Sequence, residues 1–123
     1  MSKVKAIHLE DVKGIKREPP RTSWILISEK TVGSKNIAMG VNETYPGSMV
    51  PEHKHETEEE VMYFIAGKGK FVTEEEEIDL SPGTVIYNPP GQLHKILNTG
   101  DEVLRFVWIY SPQLPSHKKE KEK

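Results

Sequence analysis

The chain has 123 residues and a mass of 14.0 kDa, which suits one compact domain. Its formal net charge is -2 and its acidic and basic residues are interspersed, so no basic face predicts binding to nucleic acid or to an anionic membrane. It contains no cysteine, which excludes disulfides, thiolate metal sites and cysteine nucleophiles. We therefore expect a soluble cytoplasmic protein with small-molecule or protein partners.

The N-terminal segment is charged throughout and lacks the apolar stretch of a signal peptide. Hydrophobic residues make up only 35% of the chain, so a lone domain of this size gains from burying area against a partner. We expect a homodimer in which residues 1–22 form a leader that packs across the interface, close to residues 24–28. Residues 23–115 are then the folded domain.

Short runs of β-branched and aromatic residues recur between glycine, proline and asparagine turns, and no long segment has helical spacing. This pattern predicts an all-β domain built as a sandwich or barrel. The predicted strands are 23–28, 36–45, 49–55, 60–66, 69–73, 76–80, 85–88, 94–98 and 103–110. Residues 116–123 contain no apolar side chain and are expected to be a disordered charged tail whose removal changes stability little.

His53 and His55 are two positions apart, so a strand projects both imidazoles to one face, whereas a helix turns them away from each other. Pro51, just before them, favours extended chain. Taken alone, such a pair is more often an ordinary surface feature than a metal site. The acidic run 56–60 follows, and we expect Glu60 to begin the next strand facing the histidines while the rest of the run is a solvated loop.

These residues resemble the first motif of the cupin family, which runs glycine, five residues, His-x-His, three or four residues, glutamate, six residues, glycine. Its positions are filled by Gly47, His53, His55, Glu60 and Gly67.

The second motif of that family runs glycine, five residues, proline, one residue, glycine, two residues, histidine, three residues, asparagine. Its positions are filled by Gly83, Pro89, Gly91, His94 and Asn98. The 15 residues between the two motifs are typical of compact single-barrel cupins. The resemblance implies a small single-domain cupin with an RmlC-like fold, that is, a double-stranded β-helix or jelly-roll barrel.

The resemblance also implies one divalent transition metal inside the barrel, held by His53, His55, Glu60 and His94. Nitrogen and oxygen ligands suit Mn²⁺, Fe²⁺, Co²⁺, Ni²⁺ or Zn²⁺. His8 and His117 lie in charged terminal segments, and we expect both at the surface.

Strand alternation from the ligand positions indicates which other side chains face inward. The candidate pocket residues are Met62, Phe64, Ile96, Trp108, Tyr110, Tyr45 and Gln92. Few inward positions are basic, and only Arg21 or Arg105 would join the metal in meeting an anion. A neutral or singly charged ligand is therefore expected.

Three functions remain open. A metal with two free coordination positions favours a metal-dependent enzyme for a small organic substrate, of the dioxygenase, decarboxylase, lyase or isomerase type. The alternatives are a cupin that binds a sugar or another small molecule without turnover, and a barrel that the metal only stabilises. Fold alone does not select among them, and neither the metal, the substrate nor the use of O₂ follows from the sequence.

Overall fold

The computed structural model describes residues 3–119. Its strands are β1 (Ile15–Arg17), β2 (Arg21–Ile27), β3 (Ala38–Thr44), β4 (Met49–His53), β5 (Glu59–Ala66), β6 (Gly69–Val72), β7 (Glu77–Leu80), β8 (Val85–Asn88), β9 (His94–Asn98) and β10 (Leu104–Ser111). The helical elements are one short helix, α1 (Glu29–Val32), and the 3₁₀ turns Leu9–Asp11 and Pro115–His117. Among residues 3–119, no helix has the length and apolar character needed to cross a membrane.

The strands form two antiparallel sheets. The larger has the order β1-β2-β3-β10-β5-β8, and the smaller has the order β4-β9-β6-β7. From β3 to β10 the chain passes repeatedly from one sheet to the other, and side chains of both sheets form one hydrophobic core. This is the jelly-roll arrangement of a double-stranded β-helix, so the predicted fold class is confirmed.

Burial alternates along the strands as a half-buried sheet requires. In β5, Met62 and Phe64 are fully buried, whereas Tyr63 is 47% exposed. In β10 the buried side chains are Leu104, Phe106, Trp108 and Tyr110. The inward faces expected for these two strands are therefore correct, and they fix which side chains can reach the barrel interior.

Gly67 ends β5 at the point where the chain reverses. Its φ is +85°, and a Cβ at this position would lie only 2.4 Å from the carbonyl oxygen of Val103. Both facts require a residue without a side chain, which explains why this position of the first motif is glycine.

All nine predicted strands are present, with ends that agree within two residues. The sequence analysis missed β1 and α1. The pairing of β1 with β2 means that the larger sheet begins inside the segment expected to be a leader. α1 is a single turn, capped by reciprocal hydrogen bonds between Ser28 and Thr31, and is too short to leave a periodic pattern.

The C-terminal segment folds back over the barrel. The Gln113 side chain accepts a hydrogen bond from the backbone N–H of Glu29 and donates one to the carbonyl of Ser34, which ties the segment to the region of α1. His117 is only 5% exposed, and its ring stacks on Trp108 with centroids 5.3 Å apart. The expectation of an exposed His117 is wrong, because a flat imidazole can be buried by stacking even in a segment without apolar residues. Residues 120–123 of the predicted tail lie outside the described residues.

Candidate metal centre

Three imidazoles converge at one end of the smaller sheet. His53 ends β4, His94 begins β9, and the two lie opposite each other in the antiparallel pairing of these strands. His55 follows two residues after His53. One nitrogen of each histidine lies within 4.8 Å of the corresponding nitrogens of the other two, which is close enough for all three to bind one ion.

Backbone carbonyls fix the orientation of two of these rings. Nδ1 of His53 lies 2.7 Å from the carbonyl oxygen of Pro51, and Nδ1 of His94 lies 2.9 Å from that of Gln92. Because a carbonyl oxygen can only accept, both Nδ1 atoms carry the hydrogen, and each Nε2 keeps a free lone pair. This tautomer is the one that metal-binding histidines adopt when a carbonyl orients them.

Glu60 brings a carboxylate to the same place from the opposite sheet. It is 4% exposed, and its Oε1 lies 3.6 Å from Nε2 of His94. Neither atom has a hydrogen-bond partner within residues 3–119. Burial raises the pKa of Glu60 to about 7, against a smaller opposing effect of a hydrogen bond with Tyr110. A buried carboxylate oxygen and a buried imidazole nitrogen without hydrogen-bond partners are costly by themselves, and three nitrogens with one oxygen suit a divalent transition metal.

The neighbouring glutamates differ from Glu60. Glu59 faces outward, where it accepts a hydrogen bond of 2.8 Å from Tyr87. Glu58 is only 8% exposed, so its predicted place in a solvated loop is wrong; the Thr57 hydroxyl donates to its carboxylate. The structure thus brings Glu60, the glutamate chosen from the sequence, to the histidines.

Burial also keeps the imidazoles of His55 and His94 neutral. It is the main cause that lowers the pKa of His94 to about 4; the hydrogen bond to Gln92 opposes this effect, and the nearby His53 and His55 add to it. Burial lowers the pKa of His55 as well, partly offset by the charge of Glu58. These histidines are therefore unprotonated near pH 7, which is the form that binds a metal.

Tyr110, one of the predicted pocket residues, touches this cluster. Its hydroxyl lies 3.1 Å from Nε2 of His55, and burial raises the pKa of Tyr110 above its ordinary value. The hydroxyl therefore stays protonated. With its hydrogen directed to Glu60, its oxygen can accept a hydrogen bond from Nε2–H of His55, which leaves the lone pair of that imidazole on Nδ1. Tyr110 reaches the site because it lies on the inward face of β10, as the alternation predicted.

A cavity of about 660 Å³ extends from the histidines. Of the predicted pocket residues, Ile96, Trp108 and Tyr110 line it. The other four, Met62, Phe64, Tyr45 and Gln92, are not among its lining residues.

These four residues do not line the cavity, for different reasons. Met62 and Phe64 face inward but are fully covered by the core. The hydroxyl of Tyr45 is 2.6 Å from that of Thr22, and the amide of Gln92 donates to the carbonyl of Leu93. Alternation shows the direction of a side chain, but not how deeply other side chains cover it.

The cavity wall is more basic than expected. Arg17, Arg21 and Lys30 line it together with His117. Arg105, the other predicted cation, does not line the cavity, and its Nε lies 3.7 Å from the carboxylate of Glu43. Arg17 and Lys30 were missed because β1 and α1 were not predicted. Arg21 was named from the sequence as a cation that could meet an anion, and it does line the cavity.

Comparison with known proteins agrees with this fold. Residues 41–110 match the cupin domain family, which is more than half of the chain. An oxalate-binding protein of Thermotoga maritima is 32% identical over 84 residues, covering 68% of this chain and 69% of that protein. A glucose-6-phosphate isomerase of Pyrococcus abyssi is 31% identical over 109 residues, covering 78% of this chain and 58% of the isomerase.

A solved structure gives the same result for the fold. The crystal structure of a predicted oxalate decarboxylase from Thermotoga maritima superposes with a TM-score of 0.80 at 23% identity, covering 89% of this chain and all of the other. The chain is a small single-domain member of the cupin family. It spans only 58% of the Pyrococcus isomerase, so the activity of that longer enzyme cannot be transferred to it as a whole.

Proposed function

We propose that this cupin is a metal-dependent enzyme acting on a small organic substrate. The observation that carries the proposal is the pair of buried, unpartnered atoms, Glu60 Oε1 and His94 Nε2, which face each other beside two further imidazoles. A divalent ion held by His53, His55, His94 and Glu60 would supply Lewis-acid or redox chemistry at the end of the cavity.

The remaining residues support a reactive site rather than a closed structural one. The cavity reaches the histidines, so a small molecule can approach them. Tyr110 holds a neutral hydroxyl beside His55, where it can donate a hydrogen bond to a bound oxygen atom. Trp108 and Ile96 provide apolar walls that exclude water from this end.

Metal analysis of the purified protein tests the proposal. We expect close to one transition-metal ion per chain, which His94→Ala removes because it deletes a fully buried ligand. His8→Ala is the matched control, since His8 lies outside the cavity, where its Nδ1 accepts a hydrogen bond from the backbone of Glu10. Equal metal content in both variants would contradict the proposed site.

Binding without turnover is the second candidate. The Thermotoga maritima relative is named an oxalate-binding protein, which favours a protein that retains a small molecule in the same cavity. The two candidates are separated by incubating the metal-loaded protein with small carboxylates and sugars, and following each compound by mass spectrometry. Conversion that requires His94 supports the enzyme, whereas stoichiometric recovery of a tightly bound compound supports the binding protein.

A further inference from the structure

Arg17, Arg21 and Lys30, which we call the basic end of the cavity, indicate the chemical class of the ligand. We infer that the protein takes a small organic anion whose oxygen atoms reach the histidine cluster while a second, negatively charged group lies against Arg17 and Arg21. This inference rests on the proposed metal site. It replaces the neutral or singly charged ligand expected from the sequence.

The two arginines are placed side by side by the hairpin of β1 and β2. Arg17 lies directly opposite Arg21 in the strand pairing, and both side chains line the cavity. Nη1 of Arg21 donates to the carbonyl of Pro19 at 3.0 Å, which holds that guanidinium in position. Guanidinium groups bind carboxylates and phosphates through paired hydrogen bonds, and two of them here line the same cavity.

These charges lack carboxylate partners. Within residues 3–119, neither Arg17, Arg21 nor Lys30 forms an ion pair, although Glu18 offsets part of the charge near Arg21. The carboxylates that line the cavity are Glu52, which is exposed, and Glu60, which faces His94 instead. The basic end of the cavity therefore keeps an excess of positive charge.

His117 lines the same cavity as the basic end and the histidine cluster. Its ring centroid lies 5.8 Å from that of Tyr110, whose hydroxyl touches His55. Burial lowers the pKa of His117, and the charges of Lys30 and Arg17 are close enough to lower it further. Nδ1 of His117 is buried and has no hydrogen-bond partner within the described part of the chain. The cations and the histidine cluster thus belong to one continuous cavity, in which His117 offers a further polar contact.

The test compares ligands with and without a second anionic group. The linear dicarboxylates from malonate to adipate, each beside its monoamide, are titrated into the metal-loaded protein by calorimetry, and 3-phosphoglycerate is compared with glycerate. We expect at least one ligand with two anionic groups to bind about tenfold more tightly than its analogue with one, since a charge-assisted pair is lost in the analogue. Preference for a dicarboxylate or for 3-phosphoglycerate identifies the anionic group as carboxylate or phosphate.

Charge-removing variants show where the preference arises. Arg17→Gln and Arg21→Gln should reduce the tenfold ratio to about two, whereas Lys16→Gln should leave it unchanged, because Lys16 is exposed on the same strand and does not line the cavity. Metal content is measured for every variant. Normal metal content with no charge preference, or with equal loss in Lys16→Gln, overturns the anion inference alone. Absence of metal from the unsubstituted protein overturns the proposed function and the inference with it.

Discussion

Oε1 of Glu60 lies 3.6 Å from Nε2 of His94, although the two side chains come from different sheets and are both almost fully buried. The contact joins β5 to β9 across the barrel interior. Because both pKa values are shifted toward the neutral form, near pH 7 this is not a simple ion pair. The arrangement is costly for the fold alone, and a ligand shared by the two side chains would offset that cost.

Glu60→Gln should stabilise the metal-free protein at pH 8. The pKa of Glu60 is about 7 in the folded protein and 4.5 ordinarily, so the folded state binds this proton more tightly than the unfolded chain does. The stability that results is complete below pH 4.5 and is lost as the pH rises through 7. Glutamine avoids the cost of the buried charge. We expect a gain of up to about 3 kcal/mol in unfolding free energy at pH 8 and almost none at pH 4, measured by urea unfolding.

Glu59→Gln is the control for this experiment, since Glu59 is exposed and adjacent in sequence. It should show no such dependence on pH. Saturating metal should reduce the gain from Glu60→Gln, because the carboxylate then has a partner. A gain that is the same at pH 4 and pH 8 would mean that Glu60 is not a buried titrating group.

Tyr110→Phe should weaken metal binding without unfolding the barrel. The change removes only the hydroxyl 3.1 Å from His55 and keeps the buried ring. Groups that orient a metal ligand typically change metal affinity by tenfold or more, so we expect a loss of about tenfold in competition with a chelating dye. Tyr87→Phe, which removes an exposed hydroxyl bonded to Glu59, should leave the affinity unchanged. Equal affinity in both variants would show that Tyr110 does not position His55.

The fold and the histidine cluster were predictable because their signals are local. The spacing of His53 and His55 depends only on the two-residue period of a strand, and the inward face of β10 follows from the same period. Turn residues marked nearly every strand end. Bringing His94 and Glu60 to that cluster depended on the resemblance to the cupin motifs, since nothing in the sequence alone states which strands become neighbours.

The basic end of the cavity was not predictable for the opposite reason. β1 has only three residues, and its register with β2, which places Arg17 beside Arg21, is a tertiary property. His117 is buried by stacking on Trp108, a residue nine positions earlier. The composition of residues 116–123 shows only that this segment is polar. Short elements and stacked polar rings leave no periodic pattern.

The homodimer expected from the sequence stays a prediction. In sedimentation velocity at micromolar concentration, we expect twice the 14.0 kDa mass of one chain. Leu26→Glu, within the predicted interface at residues 24–28, should produce monomers. Val85 on β8 is 60% exposed and lies outside that segment, so Val85→Glu is the comparison. Dissociation by Val85→Glu alone would move the interface to the face around β8, and a monomeric unsubstituted protein would contradict the prediction.

Replacing His117 with alanine should destabilise the barrel, in contrast to the small effect expected from the sequence for loss of residues 116–123. The variant removes a ring stacked at 5.3 Å on Trp108 and opens the cavity wall beside Tyr110. A buried aromatic contact of this kind is worth about 1 to 2 kcal/mol, which for a domain of this size lowers Tm by about 4 to 10 °C. Lys118→Ala is the matched control, since Lys118 is exposed and should change Tm by less than about 2 °C. The Tm of both variants is measured by calorimetry in metal-free buffer. Equal Tm values would show that the side chain of His117 does not stabilise the fold.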